Sequence, residues 1–244
     1  MTMTAVIGGK TAPGVTTVAL AASWAAGRPV TVVDADPLGG DVLPGMLPGR
    51  TDNSGGLLQW IVATRRGSAQ QAAERLPAFG VQASADHPVT VIAGIQSPSQ
   101  AATLTGSWDR VATALTHHEG DIVVDLGRAH DQSGWALVSG ADRVLLVVRP
   151  TARAVHAAGW ALAQLQQRLG DLDRVRLVVN GPGPYSPGEV GEVLGFGSCV
   201  HVPSDRKAAA MLTDGAPFAE RALLRSRLVR ACSELLPARQ EARA

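Results

Sequence analysis

Seven short runs of aliphatic and β-branched residues recur along the chain, near 4–8, 30–34, 89–93, 121–125, 143–148, 174–180 and 199–202. Between them lie segments of helical length, many alanine-rich, near 16–26, 55–66, 98–116, 152–169, 187–194, 206–212 and 217–236. Strand-length runs that alternate with helix-length segments predict an α/β fold: a doubly wound, mostly parallel sheet with helices on both faces. No internal repeat or long linker interrupts the pattern, so 1–244 reads as one domain. The least regular stretch is 37–88. Its Gly/Pro segment, 39–56, reads as a mobile or partner-facing insertion.

Composition narrows the setting. Apolar residues make up 45% of the 244, enough for a large core, and the net charge of +1 excludes a general polyanion binder. No apolar run approaches the ~20 residues of a membrane span, and the amino terminus lacks the basic-then-apolar order of a signal peptide. The two cysteines, Cys199 and Cys232, lie in apolar surroundings and form no metal-ligand cluster. A cytoplasmic location is therefore expected. The pair His117 and His118 reads as solvated.

The chemistry begins in the first strand–helix connection. Gly9, Lys10, Thr11, Ala12, Pro13, Gly14, Val15, Thr16 and Thr17 follow the first apolar run and precede a helical stretch. Gly9 and Gly14 have the separation of a phosphate-binding loop, G-x-x-x-x-G-K-[ST], and Thr16 is the right type to ligate Mg²⁺. In such a loop, backbone N–H groups and a helix N-terminus surround phosphate oxygens. Here the lysine position holds Val15, and Pro13 removes one backbone donor. A lysine stands five positions earlier, at Lys10. Of the 22 lysines and arginines only Lys10 and Lys207 are lysines. Lysine differs from arginine here in carrying a compact ammonium on a flexible stem rather than a planar fork.

Lys10 through Thr17 resembles the deviant Walker A loop of the ParA/MinD ATPases, K-G-G-x-G-K-[ST]-[ST]. In that family the early lysine reaches the partner subunit's nucleotide and the later one holds its own. The resemblance implies ATP or ADP with Mg²⁺ as ligands, a homodimer, and Lys10 as the cross-dimer lysine. Asp34, Ala35, Asp36 and Pro37 resemble the family's D-x-D-P segment, with Asp36 in the water-positioning place and Asp34 supporting the metal. The run ending in Asp125 resembles the Walker B strand, whose aspartate orders magnesium. Asn180 ends a strand as in relatives where it reads the adenine edge, and Pro203 to Asp205 resembles the P-x-D loop along base and ribose. The expected nucleotide set is thus Gly9, Lys10, Gly14, Val15, Thr16, Thr17, Asn180, Pro203 and Asp205. Catalytic roles fall to Lys10 and Asp36, and metal binding to Thr16, Asp34 and Asp125. The likeness spans roughly residues 4–236.

Residues 221–243 carry six arginines against two glutamates, and Leu224, Leu228, Ala231 and Leu235 recur at helical spacing. An amphipathic helix over about 217–236 is expected. Three readings of it stand: leucines packed on the domain with arginines in water, a face for non-specific DNA, or a membrane-surface helix. Pro237 and the absence of aromatics after Phe218 disfavour the last.

Two functions follow. One is a nucleotide-switched, at most slow ATPase that dimerises and positions or regulates a cellular machine. The other is a nucleotide-independent dimeric scaffold. The combination of the loop with Asp34-Ala35-Asp36-Pro37-Leu38-Gly39-Gly40-Asp41 also resembles MinD-like proteins associated with Tad/Flp pilus or secretion systems, which implies a pilus, secretion or partition partner. A dinucleotide-binding dehydrogenase is disfavoured, because the first loop is not G-x-G-x-x-G.

Overall fold

The computed structural model describes residues 2–11, 14–46, 55–129 and 134–237, and within these the side chains of 98, 102, 103 and 105 are excluded. Each of the seven apolar runs is a strand: β1 Met3–Gly8, β2 Val30–Asp34, β4 Val89–Ile92, β5 Asp121–Arg128, β6 Arg143–Val148, β7 Val175–Asn180 and β8 Cys199–Val202. An eighth, β3 Val81–Gln82, pairs antiparallel at the edge. The sheet order is β3-β4-β2-β5-β1-β6-β7-β8, and every pairing except β3–β4 is parallel. Parallel strands flanked by helices on both faces have no solvent side, which is why these runs are apolar at successive positions.

The faces hold separate cores. One packs α1 Val15–Ala25, α2 Val42–Met46, α10 Arg206–Thr213, α11 Glu220–Arg225 and α12 Arg227–Ala231 on Val6, Val32, Val123, Val147 and Val178. The other packs α3 Leu57–Thr64, α4 Ala69–Arg75, α6 Trp108–Leu115, α7 Trp135–Gly140, α8 Ala152–Leu169 and α9 Pro187–Leu194 on Ala5, Ile7, Val33, Val124, Leu146 and Val179. The fold is therefore α/β and doubly wound, as the pattern predicts.

The long helices follow from local rules. In α8, Ala154, Ala158, Ala161 and Leu165 form the buried stripe. Thr151 caps its start and Gly170, at φ 81°, ends it. α9 opens with a Ser186–Glu189 capping box and Pro187 in its first turn.

Elsewhere the expected boundaries are corrected. The single helix over 98–116 is two, α5 Pro98–Leu104 and α6, separated by a 3₁₀ turn at Thr105–Ser107 that contains Gly106. Residues 37–88 contain α2, α3, α4, a 3₁₀ turn at Leu76–Phe79 and β3. Part of the Gly/Pro segment there, 47–54, lies outside the described residues.

The helix expected over 217–236 breaks at Ser226, which is extended at φ −63°, ψ 152°. Leu223 and Leu228 are both buried. Five residues apart, they would point about 140° away from each other on a continuous helix. The break rephases the chain so that Leu223, Leu228, Val229, Cys232 and Leu235 all face the core. The Ser226 hydroxyl then accepts from Val229 N–H at 3.1 Å and caps α12. The arginines of this segment, Arg221, Arg225, Arg227 and Arg230, are exposed. Arg239 and Arg243 lie outside the described residues.

Candidate functional site

Because seven of the strands run parallel, Gly8, Asp34, Asp125, Val148, Asn180 and Val202, from six of them, all arrive at one edge of the sheet. In open parallel sheets the crevice beyond the carboxyl ends of the strands is where ligands bind. The first loop leaves β1 there and returns as α1. Gly14 begins α1 in the left-handed region, at φ 88° and ψ 21°, a conformation that suits glycine. It brings no side-chain cap, and the first turn holds no acid. Val18 N–H bonds Gly14 C=O at 2.9 Å. The N–H groups ahead of it face the edge without a side-chain acceptor from the cap position.

Val15 points inward. It is 3% exposed and belongs to the core under α1, together with Val6, Val18 and Val147. Thr16 and Thr17 are half-buried. The Thr16 hydroxyl bonds to the Asp125 carboxylate, which also accepts Gly127 N–H at 3.0 Å. Burial raises Asp125 to a pKa of about 6, opposed by those two bonds and reinforced by the charges of Asp36 and Asp41. Asp34 is the strand neighbour of Asp125. Burial and then the Asp125 charge push its carboxyl well above the usual carboxylate range. Two desolvated, mutually repelling carboxylates of this kind suit a divalent cation, whose charge would relieve both.

Asp34 also holds the next loop in place. Its Oδ2 accepts Val42 N–H at 3.2 Å, and Asp36 N–H bonds to the same carboxylate. Gly40 and Gly94 close over it, and a Cβ at Gly94 would lie 2.7 Å from its Cγ. Asp36 turns the other way. Its Oδ1 accepts Leu38 N–H at 2.8 Å, and its carboxylate presses on Gly127.

On the far side of the loop, Asn180 places its side-chain amide directly over the Cα of Gly14. Pro203 follows β8 on the same edge, beside Asn180, since Asn180 and Val202 are register partners. Asp205 acts locally, where its Oδ1 accepts Ala208 N–H at 3.1 Å and caps α10. Gly9 lies against α8, where a Cβ would sit 2.7 Å from the Ala157 carbonyl.

Lys10 is exposed and lines a cavity of about 750 Å³ with Leu38, Arg128, Ala129, His156, Ala157 and Trp160. Among the described residues, the edge thus brings together Thr16, Asp125, Asp36 and Asp34 on one side of the loop and Asn180 on the other, with Lys10 outside it. Pro13 and its neighbour Ala12 lie outside the described residues. The sequence pattern did not single out Arg128 or Trp160, and it gave Asp41 no role of its own. The only signal for Arg128 was its place three residues after Asp125.

No protein-family model matches the sequence, and no curated protein matches it. Solved structures do. A ParA family ATPase from Chlorobium tepidum is similar with a TM-score of 0.73 at 19% identity, covering 96% of this chain and 98% of that one. The septum site-determining protein MinD of Pyrococcus horikoshii, complexed with Mg-ADP, gives 0.71 at 15% identity over 96% and 95%. A MinC:MinD cell division protein complex from Aquifex aeolicus gives 0.68 at 16% identity over 98% and 99%. The chain therefore has the fold of the ParA and MinD ATPases over nearly its whole length.

Proposed function

We propose that the chain is a ParA/MinD-type nucleotide-binding protein that dimerises and positions or regulates a cellular machine. The observation that carries this reading is the Thr16–Asp125 bond at the uncapped N-terminus of α1, directly after the glycine loop. Mg²⁺–ATP, when bound, supplies a divalent charge and a cleavable phosphoanhydride. Thr16 and Asp125 are the residues to hold the metal, with Asp34 behind them keeping the 36–42 loop in place. Asp36 is the carboxylate to orient water, and Lys10 stands where it can act toward a partner subunit. Asn180, Pro203 and Asp205 border the side expected for the base. Like its structural neighbour MinD, found with MinC, the protein is proposed to act through a protein partner, that of a pilus, secretion or partition apparatus. The exposed arginines of α11 and α12 offer a second surface, for non-specific DNA.

Val15 sets the expected strength. With an apolar, buried side chain in place of the lysine, the phosphate chain lacks a close point charge, a loss often worth ~3 kcal/mol in turnover. Binding is therefore weak and hydrolysis slow or undetectable. The same burial favours the alternative, a nucleotide-independent dimeric scaffold. Calorimetric titration with ATP and ADP, with and without Mg²⁺, separates the two. Mg²⁺-dependent binding supports the switch, and no binding of either nucleotide at millimolar concentration leaves the scaffold.

A further inference from the structure

The ladder between β1 and β5 is not regular. Val6 pairs with Asp125, but Gly8 pairs with Arg128, so two steps along β1 match three along β5. The extra residue lies in the Leu126–Gly127 step, and Gly127 takes φ 59°, a conformation that favours glycine. A side chain there would also be driven into the Asp36 carboxylate. Bulges of this kind beside a site re-aim the side chain that follows. In a regular ladder Gly127 would stand beside Gly8 and Arg128 one step farther out. The bulge instead sets Arg128 level with Gly8, the last residue of β1 and the neighbour of Gly9 in the loop. The next residue is fastened as well, since Ala129 N–H bonds Gly8 C=O at 2.6 Å.

Arg128 is exposed there and borders the same 750 Å³ cavity as Lys10. Among the described residues, Lys10 and Arg128 are the two permanent cations of that space. An arginine fork binds phosphate oxygens in pairs and stays charged at any working pH. We propose that Arg128 is a phosphate-contacting residue that supplies the charge missing at Val15. The inference rests on the nucleotide reading above, and it assigns to β5 a role that the loop itself cannot fill.

The test is calorimetry of the full chain with Mg²⁺–ATP and Mg²⁺–ADP, with thermal melting without nucleotide as the folding control. Arg128→Ala should weaken ATP binding about tenfold or more, the size expected for one charged hydrogen-bonding partner. ADP should lose less. Arg128→Lys should keep most of the affinity, and adding Val15→Lys to Arg128→Ala should restore it. A folded Arg128→Ala protein that binds ATP as wild type does overturns the inference while leaving the nucleotide reading intact. Equal losses in Arg128→Ala and Arg128→Lys, with no rescue by Val15→Lys, overturn it too, because they mark a purely structural arginine. If Arg128→Ala does not melt cooperatively, Arg128→Gln is read in its place. No nucleotide binding by wild type refutes the nucleotide reading, and this inference with it.

Discussion

At position 15 the side chain joins the core, whereas a lysine there would have to send its ammonium out past the loop. Val15→Lys should therefore raise ATP affinity or hydrolysis rate while lowering thermal stability by about 1.5–3 kcal/mol, the value of one buried aliphatic side chain. Unchanged affinity and rate in a folded variant would show that this position does not face the phosphates. Asp125 gives a second expectation. Its folded pKa, about 6, lies above that of an unfolded aspartate. The native state then binds the proton more tightly, so the contribution of Asp125 to stability is fully present below about pH 4 and is lost as pH rises through 6. Asp125→Asn removes the buried charge while keeping the size. It should stabilise the ligand-free protein at neutral pH by on the order of 1–3 kcal/mol and flatten melting curves between pH 4 and 6. The same change should abolish any Mg²⁺ dependence of nucleotide binding. A variant less stable than wild type at pH 7 would show that the Thr16 and Gly127 bonds outweigh burial.

Among the elements, the segment after α10 is the most informative. Its apolar side anchors α11 and α12 to the face that carries α1, and Leu228 is 2% exposed. Leu228→Ala should cost about 2–4 kcal/mol in denaturant unfolding, and Ser226→Ala about 1 kcal/mol through loss of the α12 cap. Arg225→Ala and Arg227→Ala should stay within about 0.5 kcal/mol, since both side chains stand in water. If the arginine changes prove as costly as the leucine change, the packing described for this segment is wrong. The same arginines serve the DNA reading: paired replacement should weaken any DNA binding and flatten its salt dependence, with stability intact.

For the whole molecule the expectation concerns assembly. Lys10 is exposed beside the 750 Å³ cavity it lines and is proposed to act between subunits. In sedimentation with ATP and Mg²⁺, wild type should shift toward dimer and Lys10→Ala should not. The same monomer–dimer balance in both proteins, with and without nucleotide, would make Lys10 a surface lysine.

The sequence by itself determined the strands and the edge on which chemistry gathers. Continuous β-branched runs such as Val30–Asp34 and Asp121–Asp125 have one stable use in a parallel sheet, and parallel strands deliver their last residues to one side. The place of Asp34, Asp36 and Asp125 at that edge was legible for this reason, and the place of Thr16 from its spacing after Gly9 and Gly14. So were the ends of α8 and α9, because caps such as Thr151 and Ser186 act within four residues. Only the tertiary structure decided the sheet order, the edge strand β3, the inward face of Val15 and the break at Ser226. It also decided the contact of Asn180 with Gly14 and the bulge that seats Arg128 beside Gly8. Each of these depends on neighbours distant in the chain: Val15 shares a core with Val147, α12 packs on α1, and Gly127 lies against Asp36. A local pattern records a residue's preference for burial or for a turn. It does not record which distant neighbour supplies the burial, and that neighbour sets where the side chain points.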